Sequence, residues 1–139
     1  MSVRLGQRAL DAIRREAARA YPHEACGALI GFSSADVTEA LALSNREAAS
    51  PATRFTIAPF DYLDVEQAAE ARGAQLVGFW HSHPDHAARP SAIDREHAWE
   101  GLLTVVVSVD KGEPREVTAW SVPGRGLPFA EVPLSLEEA

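Results

Sequence analysis

The run LLTVVVSVD, Leu102 to Asp110, constrains this chain more than any other stretch. It is long, apolar and rich in β-branched residues, whose stiff side chains suit a pleated strand better than a helix. It lacks the alternation of a strand with one wet face, so other elements must cover both of its sides. QLVGFWHSH, Gln75 to His83, is a second strand of this buried type.

The remaining elements follow from pattern and punctuation. Arg4 to Tyr21 reads as a helix with an apolar stripe at Leu5, Leu10 and Ile13, ended by Pro22. ACGALIGFS (25–33) is of strand length, and VTEALALSN (37–45) alternates as its neighbour across a short turn. RFTIAP (54–59) is another short strand. PFDYLDVEQAAEARG (59–73) is a helix with Pro59 at its start and Gly73 at its end. SAIDREHAWEG is a helix from Ser91 that stops near Gly101. EVTAWSV follows the turn DKGEP, and FAEVPLSL reads as a last edge strand, where Pro133 is tolerated. Helices and strands are mixed, yet neighbouring strands often join by short turns. The expected class is therefore α/β (mixed α+β), with a single mixed sheet flanked by helices, in one domain over residues 1–139.

Composition removes several functions. At 46% apolar residues the chain has enough hydrophobic material for a core. A formal net charge of −7 argues against nucleic-acid binding through a broad basic surface. Cys26 is the one cysteine, which excludes an internal disulfide and a CxxC zinc site. The N-terminus has no apolar segment of signal-peptide length, and no run is long enough to span a bilayer, so a cytoplasmic location with no membrane partner is expected.

The chemistry gathers in GFWHSHPDHAARPSAID, Gly78 to Asp94. His81 and His83 are two apart on a strand and so face the same way. Two such imidazoles can hold one metal ion, and Asp94, returned by the loop from Pro84 to Pro90, can supply a carboxylate. Each residue also has an ordinary reading. Ser91 and Asp94 form the pattern of a capping box, and a lone His-x-His is commonly plain surface. A metal-activated water needs a base, for which Glu24 is a candidate; by itself Glu24 reads equally as a solvated turn residue.

Taken together, Glu24, His81-Ser82-His83-Pro84 and Ser91-Ala92-Ile93-Asp94 resemble the JAMM motif of the MPN+ metalloprotease family. The likeness extends through YPHEACGALIG, LSNREAASPATRFTIAP, LLTVVVSV and VTAWSV, and is less diagnostic after Gly124. The resemblance implies a zinc metallopeptidase whose zinc is bound by His81, His83 and Asp94. It implies Glu24 as general base and later acid, and Ser91 as a donor to the oxyanion. It also implies a fold similar to cytidine deaminases, whose own chemistry the single cysteine excludes.

The compact prokaryotic members with HEACGxLxG are the most similar. They imply hydrolysis of an amide bond after the C-terminal Gly-Gly of a ubiquitin-like or sulfur-carrier protein, with a homodimer possible. VTEALALSN or RFTIA could offer an edge for such a glycine tail. The alternatives are a non-catalytic MPN-type scaffold and a DNA-repair-associated JAMM-like protein. His23, His86, His97 and Asp85 are expected to be solvated, Cys26 buried and inert, Asn45 structural, and Trp80, Trp99 and Trp120 packing residues.

Overall fold

Leu103–Asp110 lies inside a six-stranded sheet, as its apolar run requires. The computed structural model describes residues 2–47, 50–52, 55–97, 99, 101–124 and 127–136, the side chains of 96 and 97 excepted. In chain order its elements are β1 (Val3–Leu5), α1 (Gln7–Ala20), β2 (Cys26–Gly31), β3 (Asp36–Val37), β4 (Glu39–Leu43), α2 (Pro59–Ala71), β5 (Gln75–Pro84), α3 (Ala92–His97), β6 (Leu103–Asp110), β7 (Glu113–Ser121), β8 (Ala130–Val132) and β9 (Leu134–Leu136). The large sheet has the order β4-β2-β5-β6-β7-β8. β5 and β6 pair parallel, and the other pairings are antiparallel. This is the mixed sheet with flanking helices that the sequence led us to expect. No helix among the described residues is long and apolar enough to cross a membrane.

The sheet is covered on both faces. On one, Leu10, Ile13 and Ala17 of α1 pack with Leu29, Trp80, Val105 and Val107. On the other, Val65 and Ala69 of α2 pack with Cys26, Ala28, Ile30 and Phe79. Val106, pointing away from its neighbours as strand geometry demands, joins Ala88 and Trp120 instead. Val105, Val106 and Val107 are all fully buried, each contributing roughly 1.5–3 kcal/mol of transfer free energy.

Gly27 shows how tight this packing is. The Trp80 indole passes over it to donate to the Leu41 carbonyl at 3.1 Å. A Cβ at Gly27 would overlap both that carbonyl oxygen and the indole. Gly27→Ala is therefore expected to destabilise the protein by about 1–3 kcal/mol, read as a lowered midpoint in denaturant unfolding. An unchanged midpoint would mean that the indole can move aside.

Three segments differ from the sequence reading. The first helix begins at Gln7, not Arg4, because Val3–Leu5 is a strand. That strand pairs parallel with β3 and β9 in a separate three-stranded sheet, which buries Leu5 completely. Three residues are too few to display a strand period.

RFTIAP is the second. Phe55 to Ala58 form no strand, and Arg54 lies outside the described residues. Thr56 instead bonds through its N–H to the Asn45 side-chain oxygen at 3.1 Å and through its carbonyl to Arg46 N–H at 2.9 Å. A side chain thus takes one of the places a neighbouring strand would fill.

The third is FAEVPLSL, which is two strands in two sheets, β8 on β7 and β9 on β1. Pro133 stands at the changeover, where it needs no N–H, and its carbonyl accepts from Val3 N–H at 3.0 Å.

Candidate metal centre

β5 delivers its two histidines to the face covered by α2. His81 stands opposite Cys26 of β2 on one side and Val106 of β6 on the other. Ser82, between the histidines, points away. Its Oγ accepts from Ala25 N–H at 2.8 Å, and its own N–H bonds to Ala25 O at 3.0 Å. This double tie docks the start of β2 on β5 and brings the preceding residue, Glu24, to the histidines.

One ligand atom from each of Glu24, His81, His83 and Asp94 lies within 4.8 Å of every other. Three of the atoms are closer still. The two Nε2 atoms are 3.2 Å apart, and Asp94 Oδ2 is 3.1 Å from His81 Nε2 and 3.0 Å from His83 Nε2. Tetrahedral zinc, at about 2.0–2.1 Å from its donors, needs donors about 3.3–3.4 Å apart. The observed triangle is slightly tighter and would open by a few tenths of an ångström to admit the ion. The set of two imidazoles and a carboxylate fits zinc in chemistry as well as in spacing.

His83 is aimed by its other nitrogen. Nδ1 lies 2.8 Å from the Ala87 carbonyl, which can only accept. Nδ1 therefore carries the hydrogen, and a neutral His83 presents a bare Nε2 to the cluster. Asp94 is aimed from its own helix end. Ser91 N–H donates to Oδ2 at 2.8 Å, while Asp94 N–H donates to Ser91 Oγ at 3.1 Å. The capping box is thus present, and its carboxylate oxygen is the same one that meets both histidines. Ser91 is exposed, and its O–H hydrogen is not used in the box.

Electrostatics describe a site short of positive charge. Burial raises the Glu24 carboxyl to about 8, with Asp94 adding to the rise and His83 opposing it. Glu24 Oε1 is buried without a hydrogen-bond partner among the described residues, a state that costs about 1–3 kcal/mol unless a ligand or water meets it. Burial pulls the His81 imidazole down. Burial would do the same to His83, but its bonds to Asp94 and Ala87 and the charges of Asp94 and Glu24 raise it overall. Burial pushes Asp94 up, yet its bonds from His81, His83 and the Ser91 N–H hold it well below the usual carboxylate range. Two buried carboxylates around two imidazoles favour a cation among them, either a proton or a metal ion.

A cleft of about 340 Å³ opens beside His81 and Asp94, with Phe55, Ile57, Phe79 and Trp99 among its walls. Phe55 stacks on His81 with ring centroids 4.6 Å apart. Asn45 joins this wall to the site. Its Nδ2 donates to the Glu24 carbonyl at 3.1 Å, and its Oδ1 accepts from the N–H groups of Glu47 and Thr56.

The residues set aside in the sequence divide. Cys26 is buried, its thiol pushed up to about 12 by burial, so it is a small inert core residue. His23 and His86 are exposed, and the His97 side chain lies outside the described residues. Trp80 and Trp120 are buried, whereas Trp99 is 38% exposed at the cleft. Asp85 is more than loop charge. It holds a left-handed backbone (φ 58°) and accepts from Tyr21 O–H at 2.7 Å and Lys111 N–H at 2.9 Å, which moors the start of the loop. Its one local signal was that aspartate tolerates a positive φ better than most residues.

The chain as a whole is similar to known proteins. A family model described as prokaryotic homologs of the JAB domain matches residues 6–123. Desampylase of Haloferax volcanii is 41% identical over 103 residues, covering 73% of this chain and 73% of that protein. Tail tip assembly protein K of Escherichia phage N15 is 34% identical over 131 residues, 94% of this chain and 49% of that protein, so the chain spans about half of that relative. The solved structure described as "JAMM: A Metalloprotease-like Zinc Site in the Proteasome and Signalosome" shares the fold, with a TM-score of 0.58 over 99% of this chain and 100% of that one at 18% identity.

Proposed function

This chain belongs to the family of prokaryotic JAB-domain homologs, and from that membership we propose that it is a zinc-dependent peptidase, hydrolysing the amide bond that follows the C-terminal Gly-Gly of a ubiquitin-like or sulfur-carrier protein. The observation that carries this reading is the convergence of His81 Nε2, His83 Nε2 and Asp94 Oδ2 within 3.2 Å, with a Glu24 carboxylate oxygen within 4.8 Å of them. The relative named desampylase supports a ubiquitin-like protein as the partner. A non-catalytic scaffold is disfavoured because all four members of the metal-ligating set, Glu24, His81, His83 and Asp94, are present and gathered, and a DNA-directed role fits poorly with a net charge of −7.

In this reading His81, His83 and Asp94 hold the ion. Zinc bound there would polarise the scissile carbonyl and bring the pKa of a water to about 7. Glu24 removes a proton from the attacking water as the new C–O bond forms, then gives it to the leaving nitrogen as the C–N bond breaks. The Ser91 O–H donates to the oxygen that becomes negative on the way. The glycine tail has no side chains to read, so its backbone is held by the cleft wall at Phe55 to Ile57, which lies in no strand.

The test is a carrier protein extended beyond its Gly-Gly, incubated with the protein with and without chelator and read by mass spectrometry. We expect cleavage after the last glycine, about one zinc per chain by elemental analysis, and no cleavage after chelation. An intact carrier under zinc-replete conditions would reject the reading.

Ser91 separates stability from chemistry. Ser91→Ala should cost about 1 kcal/mol of stability through the lost cap. It should also lower kcat by roughly 10²–10³-fold at little change in KM, since the oxyanion forms only in the transition state. Reduced stability with wild-type kcat would leave Ser91 as a cap alone.

A further inference from the structure

His83 is oriented by the Ala87 carbonyl, which also accepts from Arg89 N–H at 2.8 Å and sits in a loop moored at its start by Asp85. Residues 85 to 90 form no helix or strand. Ala88 is nevertheless completely buried, packed on Val106 and Trp120. The carbonyl of Ala88 accepts a hydrogen bond at 2.7 Å from the Thr118 hydroxyl on β7, two strands away from the histidines. That hydroxyl in turn accepts from the Trp120 indole N–H at 2.8 Å.

Thr118 is only 8% exposed and stands in a row across the sheet: Cys26 opposite His81, His81 opposite Val106, Val106 opposite Thr118. Valine has the same shape and would suit these apolar neighbours without any hydroxyl to satisfy. The hydroxyl has two bonds to keep, one accepted from the Trp120 N–H within its own strand and one donated to the loop.

We infer that Thr118 is a positioning residue for the metal centre. By fixing the Ala88 carbonyl it holds the preceding Ala87 carbonyl under His83 Nδ1, and so keeps His83 in the tautomer that turns a bare Nε2 toward His81 and Asp94. The Ala87 carbonyl is the partner bonded directly to the ligand, a kind of contact worth about 10–100-fold in metal affinity, and Thr118 acts on it through the adjoining peptide. The inference rests on the proposed metal role of His83, but part of its test does not.

The test compares wild type, Thr118→Val and Thr118→Ser. In metal-free protein at alkaline pH, nitrogen NMR of labelled histidine reads the His83 tautomer directly. Wild type and Thr118→Ser should show Nδ1–H, and Thr118→Val a mixture. Zinc titration with a competing chelator should then give a Kd about 10–100-fold weaker for Thr118→Val and near wild type for Thr118→Ser. Should Thr118→Val fail to fold, Thr118→Ala removes the same hydroxyl with a smaller side chain and takes the same measurements. An unchanged tautomer and a zinc Kd within twofold of wild type in the folded variant would overturn the inference. So would equal weakening in Thr118→Val and Thr118→Ser, which would assign the effect to packing. Absence of zinc binding in wild type would instead reject the metal reading, with the tautomer comparison still deciding what Thr118 does to His83.

Discussion

Glu24→Gln is expected to keep the fold and the metal while losing roughly 10²–10⁴-fold in kcat, the range for a lost general base. Glutamine has the shape of the carboxyl but cannot take the proton from water or return it to the leaving amine. Turnover near wild type, measured on the Gly-Gly carrier with zinc content checked in parallel, would reduce Glu24 to a buried turn residue.

The same substitution carries a stability signature of opposite sign in the metal-free protein. The folded state raises the Glu24 carboxyl from 4.5 to about 8. Between those values the folded chain holds a proton that the unfolded chain has released, so this group makes stability fall as pH rises. Its contribution is complete below about 4.5 and is lost as pH climbs through 8. Glu24→Gln removes that slope and should be more stable than wild type at pH 8 by an amount on the order of 1–3 kcal/mol, discounted from the full shift for partial solvation. Urea unfolding at several pH values in the presence of chelator reads it. Parallel slopes in the two proteins would show that Glu24 is not the group responsible.

His81→Ala combined with His83→Ala should abolish stoichiometric zinc and bring turnover to background. The double change removes two of the three converging donors and leaves Asp94 Oδ2 with the Ser91 N–H as its remaining described partner. Adding zinc back to chelated wild type should restore cleavage, and adding it to the variant should not. Full metal content in the variant, by elemental analysis after gel filtration, would end the assignment of these residues as ligands.

Much of the site was legible because its parts are local. His81 and His83 share a face through the period of a strand, and Ser91 with Asp94 makes a capping box through the first turn of a helix. The spacing of both is written in consecutive residues. The buried character of Leu103–Asp110, and with it a sheet covered on two faces, was equally local. Glu24 was a different matter. Nothing around it distinguishes a base from a turn residue; the family resemblance singled it out, and Ser82, bonding Ala25 across the sheet, shows what holds it near the histidines.

Sequence by itself determined the composition of the elements: which runs must be strands, where helices stop, and which side chains share a face. Tertiary structure decided what those elements meet. Val3–Leu5 became a strand because β3 and β9 lie beside it, whereas Phe55 to Ala58 lie in no strand and the Thr56 N–H goes to Asn45. Asp85, Asn45 and Thr118 look in the sequence like ordinary loop or strand residues, yet Asp85 and Thr118 moor the loop, and Asn45 ties Glu24 to the cleft wall. The reason is physical. Periodicity and caps report interactions within a few residues, whereas the bonds that aim this site join segments tens of residues apart, and their partners exist only once the sheet has assembled.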